Sequence, residues 1–110
     1  MLSMIRNVAT TVLSSLASAV RLVASVIGGL ILLHAVFVFF EANPANGLVD
    51  FVAGVRDHLG GFTKDLFSPE DPKTAETVNA ALAGIVWVVA GNVVARLVGR
   101  LAPGKAPSKA

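Results

Sequence analysis

His34 is the one ionisable side chain inside LVASVIGGLILLHAVFVFF (22–40), a run of nineteen residues without a formal charge. An imidazole in such surroundings needs a polar partner or a wet path, so its candidate roles are proton relay, haem ligand, gate, or a hydrogen bond to a neighbouring helix. Bis-histidine haem ligation would need a second histidine at matching depth, and the other one, His58, falls in the segment that follows. Asn92 is the counterpart of His34 in the second apolar run. Counted from the same end of the two runs, the pair lies roughly 13 Å apart along their axis. Depth therefore argues against Asn92 as the partner of His34; a hydrogen bond to a neighbouring helix is the expected role, with a group on another subunit as the alternative to test.

The remaining candidates are carboxylates. Glu70, Asp71 and Glu76 could attract a cation, but their place ahead of an apolar run fits helix capping and solubility more simply. No phosphate loop, metalloprotease motif, nucleophile elbow or facing carboxylate pair occurs. There is no cysteine, which excludes disulfides, thiolate metal sites and cysteine nucleophiles. The chain is thus expected to be no enzyme, with no cofactor and no metal.

The elements that would carry these residues follow from composition. Of 110 residues, 55% are hydrophobic and 15% charged, and mean hydropathy is +0.74, whereas soluble domains run at about 25% charged. A water-soluble domain of this size buries only about two-thirds of its unfolded surface and could not hide so much apolar area. The expectation is one all-α membrane unit spanning 1–110. Its first span is 22–40; its second is 77–95, TVNAALAGIVWVVAGNVVA, closed by Arg96. The two form a transmembrane hairpin. A net charge of +2 does not line a face with interleaved aromatics, so no nucleic acid is expected as a partner.

Arg6, Arg21, Arg96, Arg100, Lys105 and Lys109 flank the spans on the terminal sides, while all seven acidic residues fall between 41 and 76. The bias of Lys and Arg places both termini in the cytoplasm and the loop, 41–76, outside. Ser and Thr interrupt the weak apolar region after Arg6, which predicts an uncleaved anchor rather than a signal peptide.

Ile5, Val8, Val12, Leu16, Ala19 and Val23 recur at steps of three and four, so 1–21 reads as an amphipathic helix leading into the first span. Pro44 stops that span by 43. Beyond it, Leu48, Val52, Val55, Leu59, Phe62 and Leu66 form an apolar stripe, with Asp50, Arg56, Asp57, Lys64 and Asp65 mostly opposite. This predicts a loop amphipathic helix over 46–67, breakable at Gly60-Gly61, lying on the outer leaflet or in a groove of another protein. Asp71 and Pro72 supply an N-cap and first turn for the second span. Residues 101–110 read as a flexible basic tail. Gly28 and Gly29 in the first span, and Ala80, Gly84, Gly91 and Ala95 in the second, put small side chains where helices can approach closely. The stripes pack the two spans together or bind other chains. Trp87 sits near the middle of its span, so its N–H is expected to meet a protein partner.

The stretch ANPANGLVDFV carries a resemblance through Asn43, Pro44, Asn46, Leu48, Val49, Phe51 and Val52. It is similar to the YggT family of small bacterial membrane proteins, in which a span is followed by an Asn-Pro element, an amphipathic segment and a second span. The likeness covers about 33–98, one repeat. It departs where that family has a Pro-Ile-Arg-Arg-like basic element; LGGFTKDLFSPED stands here instead. The resemblance implies a bacterial inner-membrane protein linked loosely to osmotic stress or to envelope and division processes, and carries over no catalytic residue. The expected function is a non-enzymatic accessory or scaffold subunit of a bacterial membrane assembly, its partners being the lipid bilayer and other membrane subunits or further copies. The alternative is a homo-oligomeric channel or holin-like pore.

Overall fold

The computed structural model describes residues 1–101. It is all helical: α1 spans Leu2–Phe39, α2 Gly47–Leu59 and α3 Pro72–Arg100, with a single 3-10 turn at Gly61–Thr63. The basic tail expected at 101–110 lies, beyond Leu101, outside the described residues.

The amphipathic segment and the first span are one continuous helix rather than two elements. No Gly or Pro interrupts the chain before Gly28, so nothing breaks the hydrogen-bond ladder. At 38 residues, α1 is about 57 Å long, nearly twice the thickness of a hydrocarbon core. It ends before Pro44 is reached. Glu41 adopts the left-handed region (φ 58°), its N–H donates to the Val38 carbonyl at 3.1 Å, and that of Ala42 donates to Phe37 at 2.8 Å. These two bonds are the Schellman pattern, which occupies carbonyls a helix end would leave free.

Asn46 starts α2: its side-chain oxygen accepts from the N–H groups of Leu48 and Val49 at 2.9 and 3.3 Å. The loop helix expected over 46–67 stops at Leu59, because Gly60-Gly61 resists helix continuation and the Gly60 carbonyl is taken by the Arg56 guanidinium. Asp71 caps α3 as expected, accepting from Lys73 N–H and from the Thr74 hydroxyl at 2.8 Å, with Pro72 in the first turn. The helix therefore begins five residues before the span expected at 77.

α1 and α3 run antiparallel. Glycines let their backbones meet: a Cβ on Gly28 would lie 2.6 Å from the Gly84 carbonyl oxygen, and one on Gly84 would lie 2.7 Å from Leu32. Gly91 leaves the corresponding space to Ala24. Ala17, Ala24, Gly28, Ile31 and Ala35 on α1 are buried against Ala80, Ala83, Gly84, Gly91 and Ala95 on α3. Gly29 does not belong to this seam. It points to open space and is exposed, because a step of one residue turns it about 100° away from Gly28.

α2 does not lie across the ends of the long helices; it descends alongside them, mainly against α1. Gly60 at its foot packs on Ile31 and Ala83, and the Trp87 indole N–H donates to the Leu59 carbonyl at 2.7 Å. Ile31 lies eight residues short of Phe39 and Ala83 eleven past Pro72, so the foot of α2 sits about 12–16 Å along the pair from its loop end. The chain then climbs back through 64–71.

Both long helices are long and apolar enough to cross a membrane, and only 28% and 22% of their most apolar windows are buried. The core helix of a soluble protein turns its apolar surface inward. These turn most of it outward, with Leu22, Val26, Ile85 and Val89 all more than half exposed.

Candidate functional site

The three helices meet on one carboxylate. Glu76, in the second turn of α3, receives Arg56 of α2 through Nε at 2.9 Å and Nη2 at 3.3 Å, and faces His34 Nε2 of α1 at 2.7 Å. Because the acceptor is a carboxylate, Nε2 must carry the proton. The two Arg56 bonds, one to each Glu76 oxygen, are the fork geometry that favours guanidinium over ammonium.

Arg56 is fully buried. Its remaining donors close the foot of α2: Nη1 donates to the Gly60 carbonyl and, at 2.9 Å, to the Thr63 hydroxyl. That hydroxyl in turn donates to the Asn79 carbonyl of α3 at 2.6 Å. The Asn79 side chain then clamps the returning segment, accepting from Phe67 N–H and donating to the Phe67 carbonyl, both at 3.0 Å. A buried charge is costly unless paired and hydrogen-bonded, and this network pairs the guanidinium and occupies three of its nitrogens. The same network satisfies irregular backbone at 60–67 that no helix ladder serves. His34 Nδ1 and the Thr77 hydroxyl are buried without a hydrogen-bond partner.

The sequence-derived candidates fall unevenly around this centre. His34 belongs to it, and its partner is on a neighbouring helix of the same chain rather than on another subunit. Judged by where charges stop, Glu76 sat outside the second span. In the structure Lys73 of the first turn of α3 stands opposite Glu41, joined Nζ to Oε2 at 2.8 Å, which sinks Glu76 toward His34. Arg56, read as part of the solvated face, is instead the most deeply placed charge. Of the apolar stripe, Val52 is fully buried and Val55 half-buried, while Leu48, Leu59, Phe62 and Leu66 are exposed. The helical period that aligned them does not continue past Leu59. Val52 and Arg56, four apart, share the face turned to α1 and α3. The Trp87 partner is also internal.

Asn92 lies elsewhere, accepting from Arg21 Nε at 3.1 Å and donating to the Val88 carbonyl at 2.8 Å. Sequence reasoning missed Arg56, Thr63 and Asn79 as a set. The available signal was Arg56 standing between Val52, Val55 and Leu59, a cation within reach of an apolar stripe.

An apolar groove of about 400 Å³ begins at Trp87, below the foot of α2, and runs toward the terminal end between Val20, Val23, Ala24, Ala90, Gly91 and Val94. No polar side chain lines it. The described residues contain no cluster of His, Cys, Asp and Glu able to hold a metal ion. Chemically, the centre is a clasp that ties α2 to α1 and α3. No family model, curated protein or solved structure matches the chain.

Proposed function

We propose that the chain is a two-span integral membrane protein, a transmembrane hairpin with a re-entrant α2, acting as a non-enzymatic accessory or scaffold subunit of a larger membrane assembly. The observation that carries this reading is the foot of α2. Asp57 and Lys64 pair there at 2.8 Å with their side chains 57% and 48% exposed, beside exposed His58 and Asp65. This group lies near the level of Ile31 and Asn79, about 12 Å along α1 from its loop end and within the first turn of the apolar run of α3. A charge at the centre of a bilayer costs at least about 2.5–3.5 kcal/mol even by permissive scales. Irregular backbone at that depth is tolerated where protein or a wet cavity meets it. The described residues of one copy supply neither on that side, so another subunit does.

The bias of Lys and Arg supports placing both termini in the cytoplasm of a bacterial cell, with the loop end outside. Purification in mild detergent followed by native mass spectrometry tests the proposal. A defined complex, with other chains or with further copies, is expected; a strictly monomeric species with no stoichiometric partner would sink it.

The second reading, a homo-oligomeric pore, draws on the same charged foot, since copies arranged in a ring could turn it toward a shared wet path. The outward faces of the long helices offer Val, Leu and Ile there, and His34, Asn79 and Asn92 are engaged within the chain. The lining would have to come from α2. Ion flux from reconstituted liposomes, reduced by Lys64→Gln, would favour the pore over the scaffold.

A further inference from the structure

Charge is segregated along this molecule. All seven acidic residues lie between Glu41 and Glu76, and every ion pair among the described residues lies between the loop end and the foot of α2. Arg6, Arg21, Arg96 and Arg100 sit toward the other end. The carboxylates nearest in depth, Asp57 and Asp65 at the foot of α2, lie near the level of Ile31, ten residues or about 15 Å of helix from Arg21, and none of the ion pairs among the described residues involves these guanidinium groups.

Arg21 is also held in place. Its Nε donates to Asn92 of the opposing helix, and Asn92 is itself anchored through its amide to Val88. The bond uses Nε alone and leaves the two terminal nitrogens of this exposed residue available. Arg96 follows Asn92 by four residues and so lies on the same side of α3, one turn nearer the terminal end. A fixed guanidinium fork and a second cation, at the level where both apolar runs stop, match one phosphodiester anion. Basic clusters at this position beside membrane helices recognise anionic lipid headgroups.

We propose that Arg21, oriented by Asn92, and Arg96 form a binding site for the headgroup of an anionic phospholipid in the leaflet at the terminal end. The site rests on the membrane reading above. Arg21 and Arg96 contact the phosphate; Asn92 is a positioning residue.

The test uses the full chain in dodecyl maltoside, titrated with phosphatidylglycerol or phosphatidylcholine and read by native mass spectrometry. One phosphatidylglycerol is expected to be retained in preference to phosphatidylcholine. Arg21→Gln and Arg96→Gln should each weaken it about fivefold, and Arg21→Lys, which keeps the charge and loses the fork, should weaken it measurably. Asn92→Leu should do the same with every charge intact. Arg6→Gln, which removes the same charge about 22 Å away along α1, should leave affinity unchanged. Equal losses in the Arg6 and Arg21 variants would reduce the effect to net charge and overturn the site. Displacement of the lipid by millimolar inorganic phosphate would overturn its assignment to a headgroup. Flotation with phosphatidylcholine vesicles separates the two levels: a chain that floats yet shows no lipid preference refutes the site alone, and a chain that does not float refutes the membrane reading with it.

Discussion

Gly28 and Gly29 are neighbours with opposite surroundings, and that contrast gives a sharp measure of the α1–α3 seam. Changing Gly28 to Ala places a methyl group 2.6 Å from the Gly84 carbonyl oxygen and 2.7 Å from a Val88 methyl. Carbon atoms pack at about 3.5–4.0 Å, so the helices must separate by roughly 1 Å. The obstacle on one side is backbone, which no rotamer change relieves. Overpacking of this kind costs about 1–3 kcal/mol. The same change at Gly29 meets nothing within 4 Å. Both variants gain the same helix propensity, up to about 1 kcal/mol on soluble scales, so it cancels between them. Gly28→Ala should therefore be less stable than Gly29→Ala by about 1–3 kcal/mol. Helicity followed by circular dichroism through an SDS titration in mixed micelles would give both values. Equal stabilities, or a less stable Gly29 variant, would refute the register of the two helices.

Glu76→Gln leaves Arg56 buried without its countercharge and should cost several kcal/mol, toward the about 3–5 kcal/mol of a broken buried pair, in the same titration; Arg56→Leu should cost less, because Glu76 keeps 29% of its side chain in contact with solvent. Trp87 is the only tryptophan, so its fluorescence reports the docking of α2: Arg56→Ala should shift emission to the red, and an unchanged spectrum would separate the clasp from the Leu59–Trp87 contact. At the loop end, hydrogen bonds from Lys73 to Glu41 and from Thr74 to Asp71 hold both carboxyls below their ordinary values. A depressed carboxyl contributes stability above its unfolded value and loses it as pH falls through the folded one. Acidification below the ordinary carboxylate range should therefore loosen this end, and Asp71→Asn, which still caps α3, should remove its share of that pH dependence.

The long helices were legible because their signal is local: uncharged runs of the right length, small residues at helical spacing, Asp71-Pro72 at a helix start. The Asp71 cap was legible for the same reason, whereas the Asn46 cap and the left-handed turn at Glu41 were not read. What the sequence concealed depends on register between segments far apart in the chain. His34 and Glu76 are 42 residues apart, and their meeting follows from Gly28 seating against Gly84, a fit that no period reveals. The descent of α2 was hidden by Arg56, whose charge argues for solvent until Glu76 and Thr63 are known to receive it. The stripe from Leu48 to Leu66 misled because its spacing continues through Gly60-Gly61, while the backbone does not.

The shared carboxylate also constrains the order of assembly. During synthesis His34 and Arg56 emerge before Glu76, the one anion that neutralises the guanidinium. Until that later segment arrives, driving α2 downward would strand a bare cation in a greasy interior. On the membrane reading proposed above, α2 would wait at the surface and be drawn in as α3 inserts, making Glu76 a timing element as well as a tether.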